Sequence, residues 1–293
     1  MKFQTLTDQY KSSFIDYMLE QVEDASGTKL EESMRYSLEA GGKRLRPLIM
    51  FAIVKAFDKK VEDAFPYAAA LEMIHTYSLI HDDLPAMDDD DLRRGKPTNH
   101  IAFSEATAIL AGDALLTKAF ELMTTGEVSS DVKVKLIKEL AFASGHEGMV
   151  GGQHADMDGE NADLTLEELE AIHARKTGQL IHFAFFAGGL LAEVKEDTLN
   201  DLIEIAYILG LAYQIRDDIL DVEGDQEALG KRVGADAKLG KSTYPALLGL
   251  EEARAYFEER LKDAHSLNRL IKSRETDYDD EMLASFIDSL NIY

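Results

Sequence analysis

The chain has 293 residues and a formal net charge of −24. That charge argues against nucleic acid as a partner, because binding nucleic acid needs a basic surface. The absence of cysteine excludes disulfides and thiolate metal sites. No run of about 18 uncharged apolar residues occurs, so no stable membrane span is expected. The N-terminus lacks the apolar stretch of a signal peptide, which makes a cytoplasmic location the expectation.

Helix is predicted along nearly the whole chain. Only 5 residues are proline, and leucine, alanine, glutamate and lysine are abundant. No strand-like alternation lasts long enough to build a sheet. In chain order the predicted helices span 6–24, 29–40, 45–58, 66–83, 102–124, 129–149, 166–190, 197–222, 242–263 and 279–290. No linker rich in proline, glycine or serine divides the chain, so we expect one all-α domain over residues 1–293.

Two aspartate clusters lie near the ends of predicted helices. The first, DDLPAMDDDD, begins at Asp82, and the second, DDILD, begins at Asp217. A carboxylate at a helix C-terminus costs roughly 0.3–1 kcal/mol. Neighbouring carboxylates also repel by about 1 kcal/mol at ~4 Å even in bulk water. A chain that accepts this twice is predicted to place a cation there, and hard oxygen ligands without cysteine suit Mg²⁺.

Two predicted helices carry polar residues on one face and apolar residues elsewhere. The helix 197–222 places four polar side chains at i, i+3, i+4 and i+7: Gln214, Asp217, Asp218 and Asp221. The helix 66–83 aligns His75, Ser78 and Asp82 in the same way. The alternative for the helix 197–222 is a polar face exposed to solvent. The alternative for the helix 66–83 is that His75 is an ordinary core residue. Because the other sides of both helices are apolar, we expect the helices to be buried and their polar faces to line an internal cavity.

Four basic segments could bind an anion. GGKRLRP at 41–47 puts three cations behind two glycines at a helix start, where backbone amides favour phosphate. Arg93 and Arg94 directly follow the first acidic cluster, where a diphosphate beside a metal would need them. Lys176 precedes Thr177 in mid-helix, and a glycine-rich loop at 222–241 contains Lys231 and Lys241. Each segment also has a plain alternative: a basic turn, charge balance, an exposed lysine or a mobile loop.

These features together predict a reaction class. The sequence has no Ser-His-Asp, Walker-type or HExxH pattern, and no obvious nucleophile or tuned base. Carboxylate clusters, scattered cations and an apolar cavity suit a diphosphate whose organic part is apolar. Metals and cations would stabilise the departing diphosphate, and the cavity would shield the resulting carbocation from water.

Five motifs resemble, in the same order, the signatures of the trans-isoprenyl diphosphate synthases. They are GGKRLRP, HDDLPAMDDDDLRRG, RKTGQLI, QIRDDILD and LGKSTYPALLG. The resemblance covers roughly residues 28–250 and is strongest to bacterial members that make farnesyl diphosphate. It implies ten or more helices around a deep cavity and a homodimer.

The resemblance also implies residue roles. Three Mg²⁺ ions, for which Mn²⁺ can substitute, would be held by Asp82, Asp88 and Asp217, supported by Asp83 and Asp221, with Asp218 in the same catalytic set. The allylic substrate, dimethylallyl or geranyl diphosphate, would contact Arg93, Lys176 and Lys231, with Thr177, Gln214 and Lys241 nearby. Isopentenyl diphosphate would bind Lys43, Arg46, His75 and Arg94, next to Gly42. The remaining acids of the first cluster, Asp89 to Asp91, would only enrich the loop.

The implied reaction is a head-to-tail (1′–4) condensation. Diphosphate leaves, the isopentenyl double bond attacks the allylic cation, and the departing diphosphate takes the proton, which accounts for the missing base. Lys176, Thr177 and Gln214 would also stabilise the cation. Tyr77 and Ser78 lie five and four residues before Asp82, about 6–8 Å away along a helix. In the bacterial members an aromatic residue at the Tyr77 position, together with the two-residue-longer first motif seen here, accompanies a fifteen-carbon product. The alternative is that Tyr77 is an ordinary core residue.

Three alternatives remain at the level of sequence. A geranylgeranyl diphosphate synthase would share the chemistry and have a deeper pocket. A terpene cyclase would usually lack the set Lys43, Arg46 and His75. A non-catalytic regulatory subunit would tend to have lost aspartates, whereas both clusters are complete here. The C-terminus lacks the basic ending common in the family. Some members use that ending near the isopentenyl site, so this chain is not expected to close the pocket in the same way.

Overall fold

The computed structural model describes residues 1–23, 27–159, 162–223 and 242–292. Its helices are α1 (Phe3–Glu20), α2 (Lys29–Glu39), α3 (Leu45–Ala56), α4 (Phe65–Asp82), α5 (Asn99–Ala102), α6 (Glu105–Leu122), α7 (Ser130–Ser144), α8 (Met149–Asp158), α9 (Leu166–His173), α10 (Gln179–Leu191), α11 (Glu196–Glu223), α12 (Tyr244–Leu248), α13 (Leu250–Arg274) and α14 (Asp280–Ser289). A 3₁₀ turn (Val61–Ala64) precedes α4, and a π-helical turn (Ala174–Gly178) joins α9 to α10. The prediction of an all-α fold is confirmed.

The core is built around α3, α4 and α10, whose sequences are apolar on nearly every side. A helix of this kind is stable only when other helices surround it. Accordingly, α4 packs most extensively against α6, and α3 packs against α10. At the second contact Gly188 lets the helices approach closely, because a Cβ there would lie 2.9 Å from the Cβ of Ile53. This packing fixes α4, and α4 carries Asp82 at its last residue.

Several predicted boundaries agree with the structure. The start predicted at 166 is exact, because Thr165 and Glu168 form the expected capping box. The helix predicted over 66–83 is α4, and the one over 197–222 is α11. The segment over 242–263 divides at Gly249, which has φ +85°, and α13 then continues to Arg274.

Other local features were not predicted. Residues 149–158 form a separate helix, α8, and the helix predicted over 166–190 contains the π-helical turn. Two-residue strands β1 (Leu92–Arg93) and β2 (Lys96–Pro97) pair as an antiparallel hairpin. Arg94 and Gly95 at its tip both have positive φ, as a type I′ turn requires. In the described part of the chain, no helix has the length and hydropathy needed to cross a membrane.

Candidate active site

The first aspartate cluster forms a closed loop at the end of α4. Pro85 prevents the helix from continuing, and the chain turns back so that the Asp88 amide donates to the Asp82 carbonyl oxygen at 2.9 Å. The two residues at the ends of the motif are therefore adjacent. Burial raises the pKa of Asp82 to about 6, and the Asp88 carboxylate adds to the increase. This carboxylate pair is a place where a cation would be stabilising.

Helix α8 connects the first cluster to the turn that carries Lys176. The Gln153 side-chain amide donates to Asp82, and Lys176 Nζ donates to Asp156 Oδ2 at 2.6 Å. Gly152 makes this possible, because a Cβ at that position would overlap the backbone of Lys176. The π-helical turn thus presents Lys176, with Thr177 half-buried beside it, close to the carboxylate pair.

The second cluster faces the same region from α11. A cavity of about 130 Å³ is lined by Lys176, Gln214 and Asp218 together with Asp156 and Thr243. Asp218 is buried, and its Oδ2 accepts a hydrogen bond from the Tyr244 amide at 3.0 Å. Asp217 and Asp221 are half-buried. The structure therefore brings Lys176, Gln214 and Asp218 together, although these residues are far apart in sequence.

Two of the arginines near the site are bound to carboxylates. Arg93 contacts Asp83 at 2.6 Å, and Asp83 is almost fully buried. Arg44 contacts Glu72 at 2.7 Å, and both side chains are no more than 3% exposed. Arg44 therefore has a structural partner, and it was not among the residues of the basic motif predicted to bind isopentenyl diphosphate, which were Lys43 and Arg46.

Arg94 lies at the tip of the β-hairpin, against the glycines of the basic motif. Its guanidinium donates to the Gly41 carbonyl oxygen. A Cβ on Gly42 would lie 2.7 Å from Arg94 Nη1, and Gly42 has φ +118°. Glycine is needed at position 42 both for the backbone conformation and for the close approach of this guanidinium.

His75 lies among positive charges. Burial lowers its pKa well below the ordinary value, and four guanidiniums lower it further: Arg46, Arg94, Arg44 and Arg93. The imidazole is therefore neutral at pH 7. Arg46 Nε is buried without a hydrogen-bond partner. A neutral donor, an unsatisfied guanidinium nitrogen and surplus positive charge are what an anion would need.

Tyr213 connects the second cluster to these arginines. Burial raises the pKa of its hydroxyl, Asp217 raises it further, and Arg46, Arg216 and Arg94 lower it. The tyrosine therefore lies within electrostatic reach of both groups. The Asp217 carboxylate and the guanidiniums of Arg46 and Arg94 therefore lie around the same tyrosine.

The two residues predicted to lie at the cavity floor have definite neighbours. Tyr77 is 6% exposed, and its ring packs edge-on against His81 with centroids 5.7 Å apart. Ser78 Oγ donates to the His75 carbonyl oxygen at 2.9 Å, so its hydroxyl is turned back onto α4. Lys43 is exposed, whereas Lys231 and Lys241 lie outside the described residues.

The donor set fits Mg²⁺ bound together with a substrate. Within the described ranges, no three acidic or histidine side chains are grouped closely enough to hold a metal by themselves. Mg²⁺ usually takes one or two carboxylates and completes its octahedral shell with water and substrate phosphates. The pair Asp82 and Asp88 supplies such ligands, and because burial and Asp88 raise the pKa of Asp82, a cation there would favour its charged form.

Sequence reasoning missed four residues of this region: Gln153, Asp156, Tyr213 and Glu72. Glu72 gave the clearest signal, because it is an acid in the apolar first half of α4 and lies one turn before His75. Gln153 and Asp156 are three residues apart on a helix, and this spacing places both on one face.

Proteins of known structure share this arrangement of helices. An apo farnesyl/geranylfarnesyl diphosphate (FPP/GFPP) synthase structure from Zymomonas mobilis superposes with a TM-score of 0.84 at 37% identity, over 98% of each chain. A geranyltransferase from Helicobacter pylori, complexed with magnesium and isoprenyl diphosphate, gives a TM-score of 0.82 at 32% identity over 95% of each chain.

Curated relatives are similar at higher identity. The farnesyl diphosphate synthase of Bacillus subtilis is 56% identical over 241 residues, which is 81% of each chain. The geranylgeranyl diphosphate synthase of Cyanophora paradoxa is 46% identical over 267 residues, which is 89% of each chain. Residues 27–280 match the polyprenyl synthetase family. The resemblance drawn from the five motifs is thereby confirmed, and the chain belongs to the polyprenyl synthetase family.

Proposed function

We propose that this chain is a short-chain prenyltransferase that makes farnesyl diphosphate. It condenses isopentenyl diphosphate head-to-tail with dimethylallyl and then geranyl diphosphate. The observation that carries the proposal is the pairing of two sites of opposite character: the carboxylates Asp82 and Asp88 beside Lys176, and the cluster around His75 with Arg46 and Arg94. One site suits a diphosphate bound with metal, and the other suits a diphosphate bound by cations alone.

One group of residues promotes ionisation of the allylic diphosphate, and another holds the isopentenyl diphosphate that attacks the resulting cation. Asp82, Asp88 and Asp217 would hold Mg²⁺, which would supply positive charge to the allylic diphosphate. Gln153 orients Asp82, and Lys176 adds a positive charge beside the leaving group. Thr177 and Gln214 would stabilise the allylic cation through their dipoles. Lys43, Arg46 and neutral His75 hold isopentenyl diphosphate, and its double bond attacks. The released diphosphate then accepts the proton lost from the new chain.

Metal dependence follows from the same geometry. The Helicobacter pylori relative has been observed with magnesium and isoprenyl diphosphate, which supports Mg²⁺ as the cation here. We further propose three ions per site, for which Mn²⁺ can substitute. Removing divalent cations with EDTA should abolish diphosphate release from the allylic substrate, and Mg²⁺ or Mn²⁺ should restore it. Full activity in excess EDTA would contradict the proposed role of the aspartates.

A diphosphate-release assay tests the reaction. With Mg²⁺ present, release should require an allylic diphosphate and isopentenyl diphosphate together, because ionisation becomes productive only when the cation is captured. Release without isopentenyl diphosphate would instead indicate hydrolysis or cyclisation. No release with either dimethylallyl or geranyl diphosphate would refute the prenyltransferase function.

Replacing Tyr77 by alanine should lengthen the product. The ring is buried on α4, about 7 Å from Asp82 along the helix axis, and its removal would open space beneath the growing chain. We expect twenty-carbon and longer products besides farnesyl diphosphate, measured by mass spectrometry. Tyr207→Ala, at an exposed position on α11, serves as the control. An unchanged product distribution would contradict the assignment of Tyr77 to the cavity floor.

Replacing Gly42 by alanine should weaken isopentenyl diphosphate binding, because the new Cβ would displace the Arg94 guanidinium. We expect KM for isopentenyl diphosphate to rise about 10-fold, with kcat nearly unchanged. Gly41→Ala is the matched control, since Gly41 also has positive φ but a Cβ there meets nothing within 4 Å. Equal KM values in the two variants would show that backbone strain alone accounts for the effect.

We further propose that the protein is a single-domain subunit of a homodimer. Large apolar side chains are exposed on three successive helices: Ile109 and Leu110 on α6, Val134 and Phe142 on α7, and Val150 on α8. A second copy of the chain would cover such a surface. Light scattering should give twice the subunit mass of 32.6 kDa, and Leu110→Glu should reduce it. A monomer at micromolar concentration would refute the dimer.

A further inference from the structure

The buried ion pair between Arg44 and Glu72 joins three helices beside the isopentenyl site. Arg44 precedes α3, and its Nη1 donates to Glu72 Oε1 on α4 at 2.7 Å. Its Nη2 donates to the Leu38 carbonyl oxygen in the last turn of α2. The planar guanidinium can make both contacts at once, whereas a lysine could not reproduce the fork.

The four guanidiniums around His75 differ in whether a carboxylate of the protein pairs with them. In the described ranges, ion pairs within 4 Å connect Arg44 to Glu72 and Arg93 to Asp83 and Asp90. The same ranges contain no such carboxylate contact for Arg46 or Arg94. The charge of Arg44 is therefore compensated within the protein, and the guanidiniums of Arg46 and Arg94 remain for a ligand.

The ion pair between Arg44 and Glu72 lies next to the other residues of the isopentenyl site in the sequence. Arg44 has φ +54°, a left-handed conformation that is unfavourable for a residue with a side chain. Lys43 precedes it directly, and Arg46 follows two residues later. Glu72 lies one helical turn before His75, so both residues share a face of α4. Holding Arg44 in place therefore sets the directions of Lys43 and Arg46 relative to His75.

We propose that Arg44 and Glu72 are positioning residues that hold the turn 41–47 on α4, so that Lys43, Arg46 and His75 converge on the diphosphate of isopentenyl diphosphate. The inference rests on the proposed function, because that function supplies the ligand. It predicts an effect specific to one substrate. Loss of the pair should weaken isopentenyl diphosphate binding and leave the allylic site intact.

The test separates positioning from stability. Glu72→Gln alone would leave a buried cation without its partner, which destabilises a fold, whereas replacing both members with apolar residues is often tolerated. The variants are therefore the double substitution Arg44→Met with Glu72→Leu, and the single substitution Arg44→Lys. In both we expect KM for isopentenyl diphosphate to rise about 10-fold, with kcat and KM for geranyl diphosphate within about twofold of wild type.

Arg35→Met with Glu39→Gln is the control, because it removes an exposed ion pair from α2 and should change neither KM. An unchanged KM for isopentenyl diphosphate in Arg44→Lys would overturn the inference, whether or not the double variant folds. Calorimetric titration with isopentenyl diphosphate makes the same comparison without turnover. Binding that depends on the ion pair in an enzyme without turnover would contradict the proposed function alone.

Discussion

Replacing Asp82 by alanine is expected to lower turnover by about 10³-fold while the helical fold persists. The carboxylate lies at the last residue of α4, accepts a hydrogen bond from Gln153, and has its pKa raised to about 6 by burial and by Asp88. A charge kept in such a position is unfavourable for the ligand-free protein. Losing one ligand of a catalytic cation removes several kcal/mol of transition-state stabilisation, and about 4 kcal/mol corresponds to this factor.

The measurement is kcat with both substrates saturating, together with far-ultraviolet circular dichroism to monitor the helices. Asp91→Ala is the matched control, since Asp91 belongs to the same acidic run and is exposed. The control should retain nearly full turnover. A loss of less than about 10-fold in Asp82→Ala would contradict the metal-binding role of the first cluster.

Two adjacent aspartates of the second cluster should respond differently to alanine. Asp217 is half-buried and lies within electrostatic reach of Tyr213, and as a proposed metal ligand its replacement by alanine should lower turnover by about 10³-fold with little change in stability. Asp218 is buried and accepts the Tyr244 amide hydrogen bond. Its loss leaves that N–H without its partner, so Asp218→Ala should lower the free energy of unfolding by about 1–3 kcal/mol.

Urea denaturation followed by circular dichroism distinguishes the two variants, and kcat is measured on the same preparations. Asp218 also lines the cavity that contains Lys176, so turnover should fall in both variants and stability in only one. Equal unfolding free energies would show that the hydrogen bond between Asp218 and Tyr244 contributes nothing to the fold.

The features that the sequence predicted correctly are those with local causes. The start of α9 follows from the hydrogen bonds of Thr165 and Glu168, and α4 and α11 follow from apolar residues at helical spacing. The motifs of the polyprenyl synthetase family identified the reaction class, and the expected farnesyl product agrees with relatives of that name at 56% identity.

The features that were missed depend on contacts between distant segments. The π-helical turn around Lys176 inserts a residue where α8 approaches closely at Gly152, and no periodicity in 166–190 indicates that approach. The break between α7 and α8 lies at Gly145 and Gly148, in a stretch that had been predicted as continuous helix. The Arg94-Gly95 turn was a visible signal for a hairpin, but strands of two residues carry no alternation.

Charge partners were the least predictable part of the site. Arg44 and Glu72 are 28 residues apart, and Lys176 and Asp156 are 20 apart. The segments 41–47 and 92–95 contain four arginines and the chain has many acids, but only the packing of α2, α3 and α4 decides that Arg44 is the one compensated by Glu72. The sequence therefore assigned Lys43 and Arg46 of the motif at 41–47 to a ligand but gave no role to Arg44, for which the structure supplies a buried carboxylate partner.

The mass of the product decides whether the protein makes farnesyl diphosphate. The protein is incubated with Mg²⁺, isopentenyl diphosphate and dimethylallyl diphosphate, and the products are identified by mass spectrometry. A fifteen-carbon diphosphate should predominate, with the ten-carbon intermediate appearing first. A predominant twenty-carbon product would contradict the farnesyl assignment, and the absence of any condensed product would contradict the prenyltransferase function itself.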